Sequence, residues 1–202
     1  MEFLIIIGVI IFSVILHEVA HGWVAEKLGD PTARVMGRIT LNPIPHIDPF
    51  MTLLLPISMF ILSGGNLLFA AAKPVPVNQL YLKDGKKDMA LVALAGPVTN
   101  ILIAGIFAIL FHVVGGNDII LRIIIINLYL AILNLVPIPP LDGSKIISIF
   151  FSDEMAYRYQ SMGQIGMIIL FALLFIPIGT FSLGTILLTI VFSLVRLFGI
   201  PV

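Results

Sequence analysis

The chain has no cysteine and few charged residues, and each shortage excludes a class of partner or binding site. Only 11% of its 202 residues are charged, and the eleven basic and eleven acidic side chains cancel. We therefore expect no general attraction to nucleic acid, which is not a predicted partner. Without cysteine the chain has neither disulfides nor thiolate metal sites, so a metal would have to be bound by imidazole, carboxylate, carbonyl or water.

Linkers, repeats and a cleavable signal are also missing. No proline-, glycine- or serine-rich stretch and no charged block is long enough to separate a soluble domain, and no internal repeat is apparent. Glu2 stands where a signal peptide would have basic residues, so the first apolar run is expected to be retained. We expect a single membrane domain to fill residues 1–202.

Apolar sequence is what the chain has in abundance. Hydrophobic residues make up 59% of it and the mean hydropathy is +1.15, with several runs long enough to cross a bilayer. The predicted fold is an all-α polytopic membrane protein with about five to six transmembrane helices and a small β element at the membrane surface after the first helix. The predicted segments are a first helix at 1–26, a surface β or loop segment at 27–49, a re-entrant hairpin or span at 50–72, a loop at 73–87, a helix at 88–114, a broken helix at 119–151 and two further helices at 157–199.

The β element is predicted from residues 33–41, Ala-Arg-Val-Met-Gly-Arg-Ile-Thr-Leu, which follow a Gly-Asp-Pro turn signal. Apolar and polar residues alternate there with a period of two, which is typical of a strand. An extended peptide could add to such a strand.

The basic residues predict how the chain is oriented. Both flanks of the 50–72 segment carry them: Lys27, Arg34, Arg38, Lys73, Lys83, Lys86 and Lys87. The positive-inside tendency favours a re-entrant hairpin, because a span would place the four lysines that follow on the outer face. With the amino terminus outside, five spans then put Lys145 and Arg158 inside and Arg122 outside. Hydropathy alone would count six spans.

The first apolar helix contains three ionisable residues, in the order His17-Glu18-Val19-Ala20-His21. A helix turns once per 3.6 residues, so His17 and His21 project from one face about 6 Å apart and can bind one zinc ion. Glu18 lies beside that face, where it can act as a general base on water. The five-residue pattern also occurs by chance in soluble helices, but in hydrocarbon each ionisable side chain costs about 2.5 to 3.5 kcal/mol.

Two histidines leave a zinc ion short of one protein ligand. Besides Glu18, the acidic residue that lies within a clearly apolar span is Asp142. Three prolines precede Asp142 and should unwind its helix, which is tolerated only where the freed backbone lines a water-filled cavity or the protein interior: Pro137, Pro139 and Pro140. Such a cavity is what hydrolysis needs.

With these motifs the chain resembles the site-2 proteases, a family of intramembrane zinc metalloproteases. The resemblance rests on the H-E-x-x-H at 17–21, on Ala-Gly-Pro-Val-Thr-Asn at 95–100, and on residues 134–143, which end in Leu-Asp-Gly. Further segments resemble a compact bacterial and archaeal branch that lacks PDZ and CBS domains: 29–34, 42–49 and 73–78. The dipeptide Met51-Thr52 departs from the Gly-Thr of that branch.

The resemblance implies one zinc ion per chain, with His17, His21 and Asp142 as ligands and Glu18 as the base that activates water. It implies cleavage within the transmembrane segments of membrane-protein substrates, which is regulated intramembrane proteolysis. The expected location is the plasma or inner membrane, with the active site toward the cytoplasm because His21 lies near Lys27 and Asp142 near Lys145, both assigned to the inner side. By position, Asn100 and Asn134 are expected to bind the substrate backbone or the developing oxyanion.

Other interpretations are open from the residues alone. His17, Glu18 and His21 could form a polar network between helices, and Asp142 could cap one. An interhelical hydrogen bond is the alternative for Asn100 and the expected role of Asn127. His46 and Asp48 are expected to be polar residues of a surface loop, the alternatives being a metal ligand or a proton carrier.

Two alternative functions follow from these interpretations. One is a catalytically inactive relative that binds membrane proteins, against which the intact Glu18 argues. The other is a metal or ion transporter, in which a broken helix would mark the ion path. Neither the substrate, nor the activating signal, nor the oligomeric state is predicted.

Overall fold

The computed structural model describes residues 2–48, 52, 54, 72–176 and 182–202, with side chains from residue 5 onward in the first helix. This part of the chain is helical, and its α-helices are α1 (Glu2–Lys27), α2 (Thr32–Val35), α3 (Lys86–Val113), α4 (Asp118–Asn134), α5 (Asp142–Ile147), α6 (Asp153–Ser161), α7 (Gly163–Phe175) and α8 (Leu183–Leu197). Single 3-10 turns lie at Ile44–His46, Gln79–Tyr81 and Ser148–Phe150. The predicted hairpin or span at 50–72 lies outside the described residues, apart from 52, 54 and 72.

Several helix ends are set by local chemistry. The side chain of Asn117 caps α4 by accepting the backbone N–H of Ile119 at 2.8 Å. Ser182 and Thr185 form a capping box at the start of α8. The carboxyl end of α4 falls at Asn134, before the proline-rich segment that would break a helix.

Two helices in the described part of the chain are long and apolar enough to cross a membrane: residues 5–27 of α1, and α3. Helices α6 and α7 form a third candidate only if counted together, and they are bent by 62° at their junction. Helix α4 has 17 residues, about 26 Å, against a hydrocarbon core of about 30 Å. The structure therefore supports an all-α membrane protein but not the predicted five to six spans.

The ends of α3 and α8 lie side by side, which contradicts the orientation predicted for the last helix. His112, in the last turn of α3, has its Nε2 2.7 Å from the carbonyl oxygen of Phe198, which caps α8. Five spans would put these two helix ends on opposite sides of the membrane. The error arises because α7, with 13 residues, is too short to cross alone.

Two apolar clusters hold the helices together. One joins α3, α4, α8 and the chain end, through Ala104, Ala108, Ile124, Leu128, Val191, Val195 and Ile200. The other joins α4, α7 and α8, through Leu133, Leu170, Leu174 and Leu187. Small residues on α3 let neighbouring helices approach closely, as is usual in membrane proteins.

The outward faces of the long helices are apolar as well. On α3, Leu102, Ile106 and Ile109 are each more than 60% exposed. A soluble monomer rarely exposes contiguous apolar surface of this kind, whereas a bilayer covers it. The protein is therefore membrane-embedded.

The β element predicted within 27–49 is wrong, because the described residues there form a short helix and turns. Helix α2 ends in a Schellman motif: Gly37 N–H donates to Arg34 O at 2.9 Å and Arg38 N–H to Ala33 O at 2.8 Å. Gly37 has φ +65°, a left-handed conformation that glycine adopts without strain. Local capping chemistry thus overrides the alternating pattern. Without a strand at 33–41, an extended peptide has no strand edge to add to in this segment.

Candidate metal centre

Three side chains from distant parts of the sequence meet where α1 passes the start of α5. The Nε2 atoms of His17 and His21 each lie 3.1 Å from Asp142 Oδ2. All three residues are at most 7% exposed. Their potential ligand atoms lie within 4.8 Å of one another, in a group that could hold a metal ion.

Both histidines use their other ring nitrogen for a hydrogen bond. His21 Nδ1 lies 2.7 Å from the backbone carbonyl of Val92, and His17 Nδ1 lies 2.6 Å from Asn100 Oδ1. A carbonyl oxygen can only accept, so each Nδ1 carries a proton, and in the neutral ring each Nε2 then presents a lone pair. Such partners fix the tautomer and the ring orientation of metal-binding histidines.

The donor set fits a zinc ion. Two imidazole Nε2 atoms and a carboxylate oxygen converge in a buried site, and with neutral rings a cation bound between them would satisfy all three acceptors. Tetrahedral zinc with bonds of about 2.0 to 2.1 Å would separate its ligand atoms by roughly 3.3 Å, close to the two distances of 3.1 Å seen here. Three protein ligands also leave the fourth position open, as a catalytic zinc site does.

A glycine on α3 makes room for this cluster. A Cβ added to Gly96 would stand 2.4 Å from His17 Nε2 and 2.6 Å from His21 Nε2, too close for any side chain. The next residue, Pro97, lacks the N–H that would bond Ala93 four positions earlier. Sequence reasoning noted Gly96 only as part of a motif, since its proximity to the histidines requires knowledge of the helix packing.

Asp142 reaches the histidines because the chain between α4 and α5 is unwound. Asp142 is the first residue of α5, and its Oδ1 accepts a hydrogen bond from Lys145 Nζ at 3.1 Å. Lys145 thus binds Oδ1, while both histidines contact Oδ2. Tight packing holds the segment: a Cβ on Gly143 would stand 2.2 Å from Leu135 O, and one on Gly166 would stand 1.9 Å from Pro139 O.

Glu18 lies beside the cluster without joining it. Its Oε2 accepts the backbone N–H of Val75 at 2.8 Å. The extended residues around Val75 are held at both ends, since Arg38 donates to Lys73 O at 2.7 Å and Asn78 N–H donates to Asp30 Oδ2 at 2.6 Å. Val75 did not figure among the predicted site residues, because no local pattern links it to a helix 57 positions away.

The two predicted substrate-binding asparagines are placed differently. Asn100 is fully buried behind His17 and donates through Nδ2 to Asn127 Oδ1 at 2.9 Å. Asn134 lines the cavity beside the cluster, and its Nδ2 donates to Leu130 O at 2.9 Å. Only Asn134 therefore faces the space that a substrate could enter.

A cavity of about 280 Å³ opens on the cluster. Its polar wall contains His17, Glu18, His21, Asn134, Asp142 and Lys145. The rest of its lining is mostly apolar and includes Val14, Leu130, Leu133 and Met167. A mostly apolar pocket with a few convergent polar groups is the usual form of an active site.

His46 and Asp48 are not part of the three-residue group. His46 is buried, and its Nε2 lies 2.9 Å from Thr40 O. Its backbone carbonyl accepts the N–H of Lys73 at 2.9 Å, which ties the loop to the extended segment. Asp48 contributes to the cavity wall.

Comparison with known proteins places this geometry in a family. The family model described as peptidase family M50 matches residues 4–120 and 112–177. The chain belongs to peptidase family M50. It is a zinc metalloprotease of the site-2 protease type, embedded in the membrane.

The relatives of this M50 chain carry consistent names. YwhC of Bacillus subtilis, provisionally named a zinc metalloprotease, is 37% identical over 98% of this chain and 92% of its own length. Two proteins named Rip2, also provisionally zinc metalloproteases, are 28% identical in Mycolicibacterium smegmatis and 30% identical in Mycobacterium tuberculosis strain H37Rv. Each Rip2 alignment covers 87% of this chain and 68% of the relative. No solved structure matches the chain significantly.

Proposed function

We propose that this M50 protein hydrolyses peptide bonds within the transmembrane segments of other membrane proteins, in regulated intramembrane proteolysis. It does so with one zinc ion per chain, held by His17, His21 and Asp142. The observation that carries the proposal is that His17 Nε2 and His21 Nε2, on a helix long and apolar enough to span a membrane, converge with Asp142 Oδ2 of α5. Ionisable residues within a membrane-spanning helix are usually functional.

The division of chemistry follows from the geometry. Zinc bound at this site would polarise the scissile carbonyl and lower the pKa of the attacking water toward about 7. Glu18 accepts the proton that this water loses and later transfers it to the leaving amine nitrogen, so that the broken C–N bond yields a carboxylate and an amine. The hydrogen bond from Val75 N–H to Oε2 orients the Glu18 carboxylate for this proton transfer.

The cavity suits a peptide taken from a membrane helix. Val14, Leu130 and Met167 offer apolar surface to apolar side chains, and Asn134 offers polar groups to a peptide backbone. A helical substrate must unwind first, because its peptide bonds are shielded by their own hydrogen bonds. We retain Asn134 as the substrate or oxyanion contact and assign Asn100 to holding His17.

The site faces the cytoplasm of the plasma or inner membrane in this proposal. His21 lies six residues, about 9 Å, from Lys27 at the end of α1. Most other basic residues lie at the same end of the helices: Arg34, Arg38, Lys73, Lys83, Lys86, Lys87, Lys145 and Arg158. Positive residues concentrate on the cytoplasmic side of membrane proteins.

The proposal is tested by offering purified protein in detergent a panel of single-span membrane proteins, together with water-soluble peptides of the same flanking sequences. Mass spectrometry locates each cut. We expect cuts inside the membrane-spanning segments, none in the soluble peptides, and loss of all cuts with a zinc chelator. Cuts confined to soluble segments would contradict intramembrane cleavage, and binding without cuts across the panel would favour the inactive relative.

A further inference from the structure

A chain of hydrogen bonds runs from His17 away from the cavity, through two asparagines. His17 Nδ1 lies 2.6 Å from Asn100 Oδ1, Asn100 Nδ2 lies 2.9 Å from Asn127 Oδ1, and Asn127 Nδ2 lies 2.9 Å from the backbone carbonyl of Ile123. The chain joins α1, α3 and α4. Asn100 and Asn127 both have zero exposure, so water does not compete for these bonds.

The direction of the chain is fixed at its far end. The Ile123 carbonyl can only accept, so Asn127 must present its NH₂ group to it and its oxygen to Asn100. Asn100 must then present its NH₂ group to Asn127 and its oxygen to His17. That oxygen can only accept, so the proton of the neutral His17 ring is on Nδ1 and the lone pair is on Nε2.

We propose that Asn127 is a positioning residue for the metal centre, which sets the tautomer of His17 through Asn100. This inference rests on the proposed zinc site, because it assigns Asn127 the task of keeping His17 Nε2 unprotonated toward Asp142. Asn127 does not line the cavity, and its side chain bonds Asn100 and the carbonyl of Ile123. If Asn100 and Asn127 only joined two helices, their contact would be sufficient. It would not matter which of the two side chains donates.

His21 provides an internal comparison. Its Nδ1 donates directly to the Val92 carbonyl, a backbone group that cannot reverse its polarity. The tautomer of His21 is therefore independent of any side chain. Asn100, in contrast, can rotate its amide by half a turn once Asn127 no longer accepts from it, and would then present NH₂ to His17.

The experiment uses the full-length protein in detergent, with ¹⁵N-labelled histidine. The chain has four histidines, so the ring signals can be assigned by single substitutions. Ring nitrogen shifts are recorded after zinc removal, and zinc affinity is measured by competition with a chelator. The variants are Asn127→Leu and the double variant Asn100→Asp/Asn127→Leu. Ser148→Ala is the control, since it removes other hydrogen bonds: the one that Ser148 Oγ donates to Ser144 O at 2.7 Å and the one that it accepts from Gln160 Nε2 at 2.9 Å.

We expect wild-type protein to show the Nδ1–H tautomer at both His17 and His21. In Asn127→Leu, His17 should become a mixture of tautomers, His21 should not change, and zinc should bind about 10- to 100-fold more weakly. A carboxylate at position 100 only accepts, so the double variant should restore the His17 tautomer and most of the affinity. Ser148→Ala should leave both properties as in wild type.

Two results would overturn the inference: an unchanged His17 tautomer and zinc affinity in Asn127→Leu, or an equal loss of affinity in Ser148→Ala, which would indicate general destabilisation. Failure of the zinc site itself is a separate outcome. A wild-type protein with the Nδ1–H tautomer at His17 but no bound zinc would refute the proposed function. It would leave in place the control of the His17 tautomer by Asn127 through Asn100.

Discussion

Gly96 on α3 lies so close to His17 on α1 that a Cβ built on it would stand 2.4 Å from His17 Nε2. No flexible side chain separates the two helices at this point. The contact makes the backbone of α3 one wall of the metal centre. The first prediction follows from this proximity.

Gly96→Ala should displace the two histidines and weaken zinc binding by more than about tenfold, with loss of proteolysis. The matched control is Gly105→Ala on the same helix, because a Cβ there meets nothing within 4 Å. Zinc content after dialysis against a weak chelator measures the difference. Equal zinc retention in the two variants would contradict the steric account.

The hydrogen bond between Val75 N–H and Glu18 gives a second prediction. Val75→Pro removes the donor, whereas Val75→Ala keeps it and alters only packing. A hydrogen bond contributes about 1 kcal/mol, so we expect a kcat roughly five- to tenfold lower in Val75→Pro than in Val75→Ala, with equal zinc content. Equal kcat values would mean that the bond does not position Glu18.

The packing of Gly166 against the unwound segment gives a third. A Cβ on Gly166 would stand 1.9 Å from the carbonyl oxygen of Pro139, while one on Gly163, almost a turn earlier, comes no closer than 3.9 Å to Pro140. Overpacking costs about 1 to 3 kcal/mol. Gly166→Ala should therefore lower Tm by several degrees and reduce zinc content, and Gly163→Ala should do neither. Thermal unfolding in detergent distinguishes them.

The contact between His112 and Phe198 gives a fourth prediction, on orientation. Because the natural chain has no cysteine, single cysteines at Gly116 and Val202 can be labelled without background. Both should react with a membrane-impermeant maleimide from the same side of the membrane, and a cysteine at Lys83 from the other side. Opposite labelling of Gly116→Cys and Val202→Cys would restore the five-span orientation.

Short-range sequence patterns predicted the candidate metal-binding residues of the site. His17 and His21 follow from helical periodicity, and Asp142 follows from the rarity of acidic residues in apolar sequence next to prolines. These features are local, so one sequence suffices to find them. The structure brings the three residues together as this interpretation requires.

The errors arise from local turn chemistry in one case and from tertiary context in the others. Alternation at 33–41 indicated a strand, but the turn at Gly37 closes back on Ala33 and Arg34 instead. The direction of α8 depends on its packing against α3, and hydropathy contains no information about it. The roles of Gly96 and Asn127 likewise depend on which helices are neighbours.

The most direct test of the account measures zinc content and cleavage in one preparation of wild type, Glu18→Gln and Asp142→Ala. We predict one zinc ion per chain in wild type and in Glu18→Gln, cleavage by wild type alone, and loss of both zinc and cleavage in Asp142→Ala. Cleavage by Glu18→Gln at the wild-type rate, or full zinc content in Asp142→Ala, would contradict the assignment of base and ligands.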